Sequence, residues 1–267
     1  MFSASVISRA ATPRAHGPAG TSGAGELLTL TTAIQGIFAV RPYTPHCQVI
    51  HDEGDHAVIG ISSGNSYFTH DRVLDLARWG LEHFRQVDLI WTDMHVAEMF
   101  VALGYPEVEA QRKAVKNLRG VRAKVTAAVA ALDPEGERLR GRPMSALLEL
   151  PAYQRIRSRL DTLMTDDPEF REVCDQLAAR FLADKLNGQP PTELQREVCI
   201  KYVCAEVPLF LDTPAILGVS SSLNCYHQAL PLAELLYARG WGLRASRNQG
   251  HAVITPAEAP EEQDRPA

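Results

Sequence analysis

Residues 57–66 read Ala57-Val58-Ile59-Gly60-Ile61-Ser62-Ser63-Gly64-Asn65-Ser66: an apolar half, then a polar half. A short unbroken apolar run has the pattern of a strand buried on both faces. The serines, glycine and asparagine that follow have loop chemistry. Downstream, Val73, Leu76, Ala77, Gly80, Leu81 and Phe84 share one helical face, which predicts a helix over residues 71–84. Val87-Asp88-Leu89-Ile90-Trp91 reads as a second strand. Strand, loop, helix, strand is the βαβ unit of a parallel sheet. Ligands in such sheets bind beyond the carboxyl ends of the strands, which is where Ser62 falls.

Outward from this unit the α/β pattern continues. Residues 107–132 predict a long helix, and residues 144–184 a helical middle. Thr192-Glu193-Leu194-Gln195 resembles a capping box, opening a helix expected to end at Pro208. Residues 217–219 and 252–255 are expected strands. Residues 1–45, rich in Ala, Ser, Thr, Gly and Pro with no acid before Glu26, are expected to be a disordered tail. A transit peptide shares that composition but fits less well. Residues 46–257 would form one catalytic domain, and residues 258–267 an acidic disordered tail.

A length of 267 residues with 45% hydrophobic content suits one large core. No run approaches the roughly 20 apolar residues of a membrane span, and no secretory signal layout appears. The five cysteines are scattered without a CxxC pair, which suggests neither a disulfide framework nor a zinc site and fits a reducing cytoplasm. A net charge of −5 means that nucleic-acid contact must come from a local patch. The candidate is Arg112, Lys113, Lys116, Arg119, Arg122 and Lys124, a stretch with no acid between Glu109 and Asp133. A merely solvated helical face and a phosphate-binding one are equally compatible with it.

Gly60-x-Ser62-x-Gly64 matches the nucleophile elbow of α/β-hydrolases. In that fold, several strands and a Gly-rich oxyanion loop precede the nucleophile, and too little ordered chain precedes Ala57 to supply them. A tight polar turn is the plain alternative. Tyr202 and Glu206 lie four apart on the capped helix and so share a face. They are either a core tyrosine beside a solvated acid, or a carboxylate poised for a substrate ammonium. Cys225-Tyr226-His227 places a phenol beside an imidazole, a structural pair or a proton relay. Asp93, His95 and Glu98 include H-x-x-E, but no further ligands accompany them, so no metal is expected.

Together these clusters resemble the cyclodipeptide synthases. Residues 60–68 (GISSGNSYF) look like that family's G-x-S-x-x-N-S-Y/F segment, and residues 202–210 (YVCAEVPLF) like its Y-x-x-x-E-x-P segment. Asn65, Tyr226 and His227 match the residues that name its Asn-Tyr-His subfamily. The resemblance implies a Rossmann-like parallel sheet flanked by helices, similar to the catalytic domain of class I tyrosyl- and tryptophanyl-tRNA synthetases. It implies a monomeric aminoacyltransferase that joins residues from two aminoacyl-tRNAs into a diketopiperazine, with no cofactor, DNA or membrane partner. Ser62 would be the nucleophile, and Tyr202, Glu206 and Tyr226 would complete the catalytic set. Asn65, Tyr153 and His227 would position substrate, and Arg112–Lys124 would hold tRNA. Val58, Gly60, Met144, Leu209 and Asn224 would line the first aminoacyl pocket. Asp184 and Lys185 would border the second, where Lys185 could pair with an acidic side chain. Asn224 stands where the family's Phe–Leu enzyme has an apolar residue, so a small or polar first residue is expected. The rival readings are a serine esterase or aminoacyl-tRNA deacylase using Ser62 with His227 or His251, and a non-catalytic tRNA-binding module.

Overall fold

The computed structural model describes residues 34–35, 37–238 and 242–257. Its centre is the predicted βαβ unit. Strand β3 (His56–Ile61) is buried along its whole length. It pairs in parallel with β4 (Gln86–Trp91) on one side and β6 (Ser222–Tyr226) on the other. Burial on both faces is why the run is continuously apolar rather than alternating. Helix α2 (His70–His83) crosses between β3 and β4, capped by the Thr69 hydroxyl, which accepts from Arg72 N–H. It lies so close to the sheet that a Cβ on Gly80 would come within 3.0 Å of Val87 and 3.2 Å of Ile59.

The full sheet has seven strands in the order β1-β2-β7-β6-β3-β4-β5. Strands β7 (Gln249–Pro256), β6, β3, β4 and β5 (Leu139–Pro143) are parallel; β1 (Ile34–Gln35) and β2 (Phe38–Pro42) add an antiparallel edge. That edge corrects the expected tail boundary at residue 45. Phe38 is fully buried with its ring edge-on to Trp79, so the sheet claims chain that composition assigned to a tail. The expected tail residues 1–33 and 258–267 lie outside the described residues.

Helices α1 (Pro45–Glu53), α2 and α4 (Glu107–Leu132) cover one sheet face. Helix α5 (Pro151–Asp166), the 3-10 turn Met144–Leu147 and α7 (Glu193–Leu217) cover the other. Helix α3 (Val96–Ala102) packs on α4 and α7 beyond the strand ends, and α6 (Pro168–Lys185) packs outside α7. A short helix α8 (Pro231–Ala233) runs into a π-helical turn, Glu234–Ala238.

Two expectations about α7 need correction. The capping box is present, with Thr192 and Gln195 bonding reciprocally, but Pro208 does not end the helix. Helix α7 is buried nearly all round, and that packing outweighs the roughly 3 kcal/mol a helical proline costs. The break comes at Asp212 (φ −161°, ψ 61°), whose Oδ1 accepts from Ala215 N–H at 3.2 Å and Ser246 Oγ at 2.9 Å. Asp212 thus caps a second segment with Pro214 in its first turn. Residues 217–219 are not a strand either: Leu217 closes α7 and Gly218 caps it in the left-handed region (φ 71°). The strand starts at Ser222, whose buried hydroxyl is matched by His56 Nδ1 at 2.8 Å. Among the described residues no helix is long and apolar enough to cross a membrane.

Candidate active site

Three neighbouring parallel strands end at one place, and each delivers a polar side chain there. Ser62 follows β3, Thr92 follows β4, and Tyr226 ends β6. Ser62 is almost completely buried, and its Oγ lies 3.1 Å from Tyr226 OH. Burial holds the Tyr226 phenol far above its ordinary pKa, against a smaller opposing effect of the Ser62 hydrogen bond. Tyr226 therefore stays protonated near Ser62 and has a proton to donate. Gly64 turns the loop with φ +75°, a conformation that favours glycine; a Cβ there would also come within 2.8 Å of Nδ2 at the movable end of the Asn117 side chain on α4.

Asn65 shapes the next turn by accepting from Tyr67 N–H at 2.9 Å, while its amide nitrogen faces His227 Nε2 at 3.4 Å. The His227 ring stacks on Tyr67, 4.0 Å between centroids and 12° from parallel. Burial pushes the His227 pKa down to about 4, so the imidazole is neutral at pH 7 and accepts from the Asn65 amide. His251, fully buried, has its Nδ1 2.9 Å from Asn224 O. Each histidine offered as a triad base is thus turned to another partner, and the hydroxyl facing Ser62 is a phenol.

Helix α7 brings Tyr202 and Glu206 in from the opposite side, one turn apart. Glu206 is wholly buried and its Oε1 accepts from Thr92 Oγ1 at 2.5 Å. Tyr202 is also hydrogen-bonded to Thr92, and its ring stacks on Phe181 of α6. Burial raises its pKa as well. Tyr153 sits beside them, its hydroxyl donating to Ala205 O at 2.8 Å and its pKa raised by burial to about 12.

The loop after β3 forms a ridge between two cavities. One, of about 370 Å³, is mainly apolar, with Met99, Phe100, Phe181 and Tyr202 in its wall and Lys185 at its border. The other, of about 280 Å³, runs from Ser62 and Asn65 to Lys116, Gly120 and Lys124 of α4. Gly64 and Asn117 border both. The expected pocket residues Val58, Met144 and Leu209 form one buried cluster with Tyr153, Ile90 and Ala205. Gly60 pairs with Ile90 in register, and Asn224 lies opposite Val58. Asn224 Nδ2 reaches Leu209 O at 3.4 Å, but its Oδ1 is buried without a partner. The Asp184 side chain lies outside the described residues.

The basic residues of α4 divide. Arg112, Lys116, Arg119 and Arg122 are exposed. Lys113 lies over the Tyr105 ring, and Lys124 donates to Phe68 O at 2.6 Å, tying α4 to the active-site loop. Asp93 accepts from Ser145 N–H and Oγ, whereas His95 is bonded to Glu98 at 2.9 Å, so the three are not one cluster. Sequence reading missed Thr92 and Asn117. A polar residue ending the strand after β3 was the available signal for Thr92; Asn117 had none, being one polar residue on a polar helix.

A family model for cyclodipeptide synthases matches residues 38–256. The chain is 58% identical over 239 residues to a cyclo(L-tyrosyl-L-tyrosyl) synthase of Mycobacterium tuberculosis, covering 89% of this chain and 82% of that protein. It is 33% identical over 212 residues to the cyclo(L-leucyl-L-phenylalanyl) synthase of Streptomyces noursei, covering 79% and 89%. Its fold matches, with a TM-score of 0.80 and 59% identity over 85% of this chain and 96% of the other, a Mycobacterium tuberculosis structure that relates cyclodipeptide synthetases to type I tRNA synthetases. With the sheet, the serine at its carboxyl edge and the matched length in agreement, this chain belongs to the cyclodipeptide synthase family.

Proposed function

We propose that this cyclodipeptide synthase takes both residues from aminoacyl-tRNAs and passes the first through an ester on Ser62. The observation that carries the reading is the partner of Ser62, a buried protonated phenol at 3.1 Å rather than an imidazole. An aminoacyl ester is already activated, so its transfer to a hydroxyl is ester exchange. The Ser62 Oγ–acyl bond forms, the acyl–ribose bond breaks, and the serine proton ends on the ribose oxygen. No ATP is consumed. The amine of a second aminoacyl-tRNA then attacks the Ser62 ester, forming the peptide bond and returning a proton to Ser62. The free amine of the dipeptidyl-tRNA attacks its remaining ester, closes the ring and releases tRNA. Each attacking ammonium first loses a proton, and Glu206 is the acceptor. Tyr202 and Asn65 position the first aminoacyl group, and Tyr226 holds substrate through cyclisation.

Arg112, Lys116, Arg119 and Arg122 offer a basic face to the tRNA phosphates, and the cavity from Lys116 to Ser62 suits its terminal nucleotide. The apolar cavity at Phe181 and Lys185 takes the second side chain. For the first residue we favour tyrosine. The unpartnered Asn224 Oδ1, buried opposite Val58, would accept from a phenol, and the relative named for cyclo(L-tyrosyl-L-tyrosyl) synthesis is 58% identical. We take the enzyme to act as a monomer, and charged tRNA and five free thiols both suit the cytoplasm.

Purified protein mixed with tyrosyl-tRNA should gain the mass of one tyrosyl residue and yield a cyclic dipeptide by mass spectrometry, and Ser62→Ala should lose both. Free tyrosine without cyclic product would overturn the reading in favour of a deacylase.

A further inference from the structure

The buried side chain that most directly joins the parts of this site is Thr92, for which the reaction scheme has no role. It is fully buried at the end of β4. Its Oγ1 donates to Glu206 Oε1 at 2.5 Å, and its side chain is also hydrogen-bonded to Tyr202. Its carbonyl accepts from Ser63 Oγ at 2.8 Å, next to the nucleophile. One residue therefore touches the nucleophile loop, the tyrosine and the carboxylate. Thr92 is itself held by the chain that follows it, because Asp93 accepts two hydrogen bonds from Ser145.

A threonine hydroxyl has one proton and two lone pairs. With the proton given to Glu206, Thr92 meets Tyr202 through a lone pair, and Tyr202 donates. The result is a directed chain, Tyr202 to Thr92 to Glu206, that fixes the carboxylate rotamer and stabilises its ionised form. A freely turning carboxylate would meet the substrate ammonium in many geometries, and misplacement by about 1 Å costs on the order of a hundredfold in rate.

We propose that Thr92 is a positioning residue for cyclodipeptide formation, setting the orientation and proton affinity of Glu206 and locking it to the Ser62–Gly64 loop. The proposal rests on the reading of Glu206 as ammonium site and proton acceptor. The phenols beside this point are Tyr202 on the same helix, Tyr226 on β6 and Tyr153 on α5, and the ionisable groups acting on them include Cys199 and Cys204 on α7, Tyr67 in the loop after β3, Arg157 on α5, Arg180 on α6, and Asp93. The three phenols have raised pKa values, so they do not titrate on the acid side of the rate profile.

The test is the pH profile of product formation in Thr92→Val, Thr92→Ala and Thr92→Ser, with thermal unfolding measured alongside. The two variants without a hydroxyl should lose about ten- to a hundredfold in kcat, with the acid limb displaced to higher pH. Thr92→Ser should restore both rate and limb. If Thr92→Val does not fold, the smaller Thr92→Ala carries the comparison. An unmoved acid limb in a folded hydroxyl-free variant, or no recovery in Thr92→Ser, overturns the proposal. Glu206→Gln separates the two levels: if it keeps full activity, the reading of Glu206 fails. If it is inactive while Thr92→Val retains the wild-type profile, only the role of Thr92 fails.

Discussion

The two ends of one sheet face bury polar groups equally deeply and use them differently. At the amino ends of β3, β4 and β6, His56 Nδ1 meets Ser222 Oγ at 2.8 Å and His56 Nε2 meets Asp88 Oδ2 at 3.0 Å. Arg142 Nε reaches Asp88 Oδ1 at 2.8 Å. Within this group His56 bonds both Ser222 and Asp88 Oδ2, and Asp88 Oδ1 meets Arg142 as an ion pair without a hydrogen bond. At the carboxyl ends Ser62, Tyr226, Thr92 and Glu206 are as deeply buried, yet their loop divides two cavities. Just below them, Asn224 Oδ1 has no partner. Burying polar groups costs free energy wherever it happens. At the amino ends the neighbours offset that cost within the fold; at the carboxyl ends Ser62 also borders open space, where we propose that substrate binds.

The sharpest way to break this contrast is a pair of substitutions. Ser62→Ala should lower product formation by a factor of about 10³ or more. It should cost only about 1 kcal/mol of urea-measured stability for the hydrogen bond with Tyr226. Asp88→Ala should do the opposite, costing on the order of 3 kcal/mol because Arg142 and His56 lose their shared acceptor. The folded fraction should keep its turnover. Equal losses of activity in both variants would erase the distinction between the two ends.

A comparable effect, between the ends, is set by pH. His251 pairs in register with Asn224, and burial pushes its pKa from 6.5 down to about 4. Below pH 6.5 the unfolded chain binds a proton that the folded chain refuses until about pH 4. Stability therefore falls as pH drops through that window and levels off beneath it. The contribution of His251 is on the order of 3 kcal/mol. Urea titrations between pH 7 and pH 4 should show the decline, to which the equally shifted His227 adds its own share, and His251→Phe should reduce it by roughly half.

The smallest effect concerns the first aminoacyl pocket. Asn224→Leu should lower the preference for tyrosyl- over phenylalanyl-tRNA by about ten- to a hundredfold, as one buried hydrogen bond is lost. Competition between the two charged tRNAs, read by the ratio of cyclic products, measures it. An unchanged ratio would remove Asn224 from the choice of residue.

Much of this was legible along the chain because it is local. The run of residues 57–61 has the length of a strand and no polar break, and the loop and helix after it put Ser62 at its carboxyl end. The spacing of Tyr202 and Glu206 put them on one helical face. What misled were breakers read without their surroundings. Pro208 stops a solvated helix, but α7 is held by packing on nearly every side, so the kink moved to Asp212. The segment around Phe38 has a tail-like composition before it and becomes a strand because β7 offers an open edge.

By itself the sequence determined the parallel α/β class, the place of Ser62 at a strand end and, through the resemblance of its motifs, the family. The first two follow from hydrophobic period and residue spacing, which act over a few turns of chain. Only the tertiary structure decided the company Ser62 keeps. Tyr226 lies 3.1 Å from it across 164 positions of chain, and Thr92 meets Glu206 across 114. No local pattern encodes such contacts, because they exist only once β3, β4 and β6 lie side by side and α7 closes over their ends.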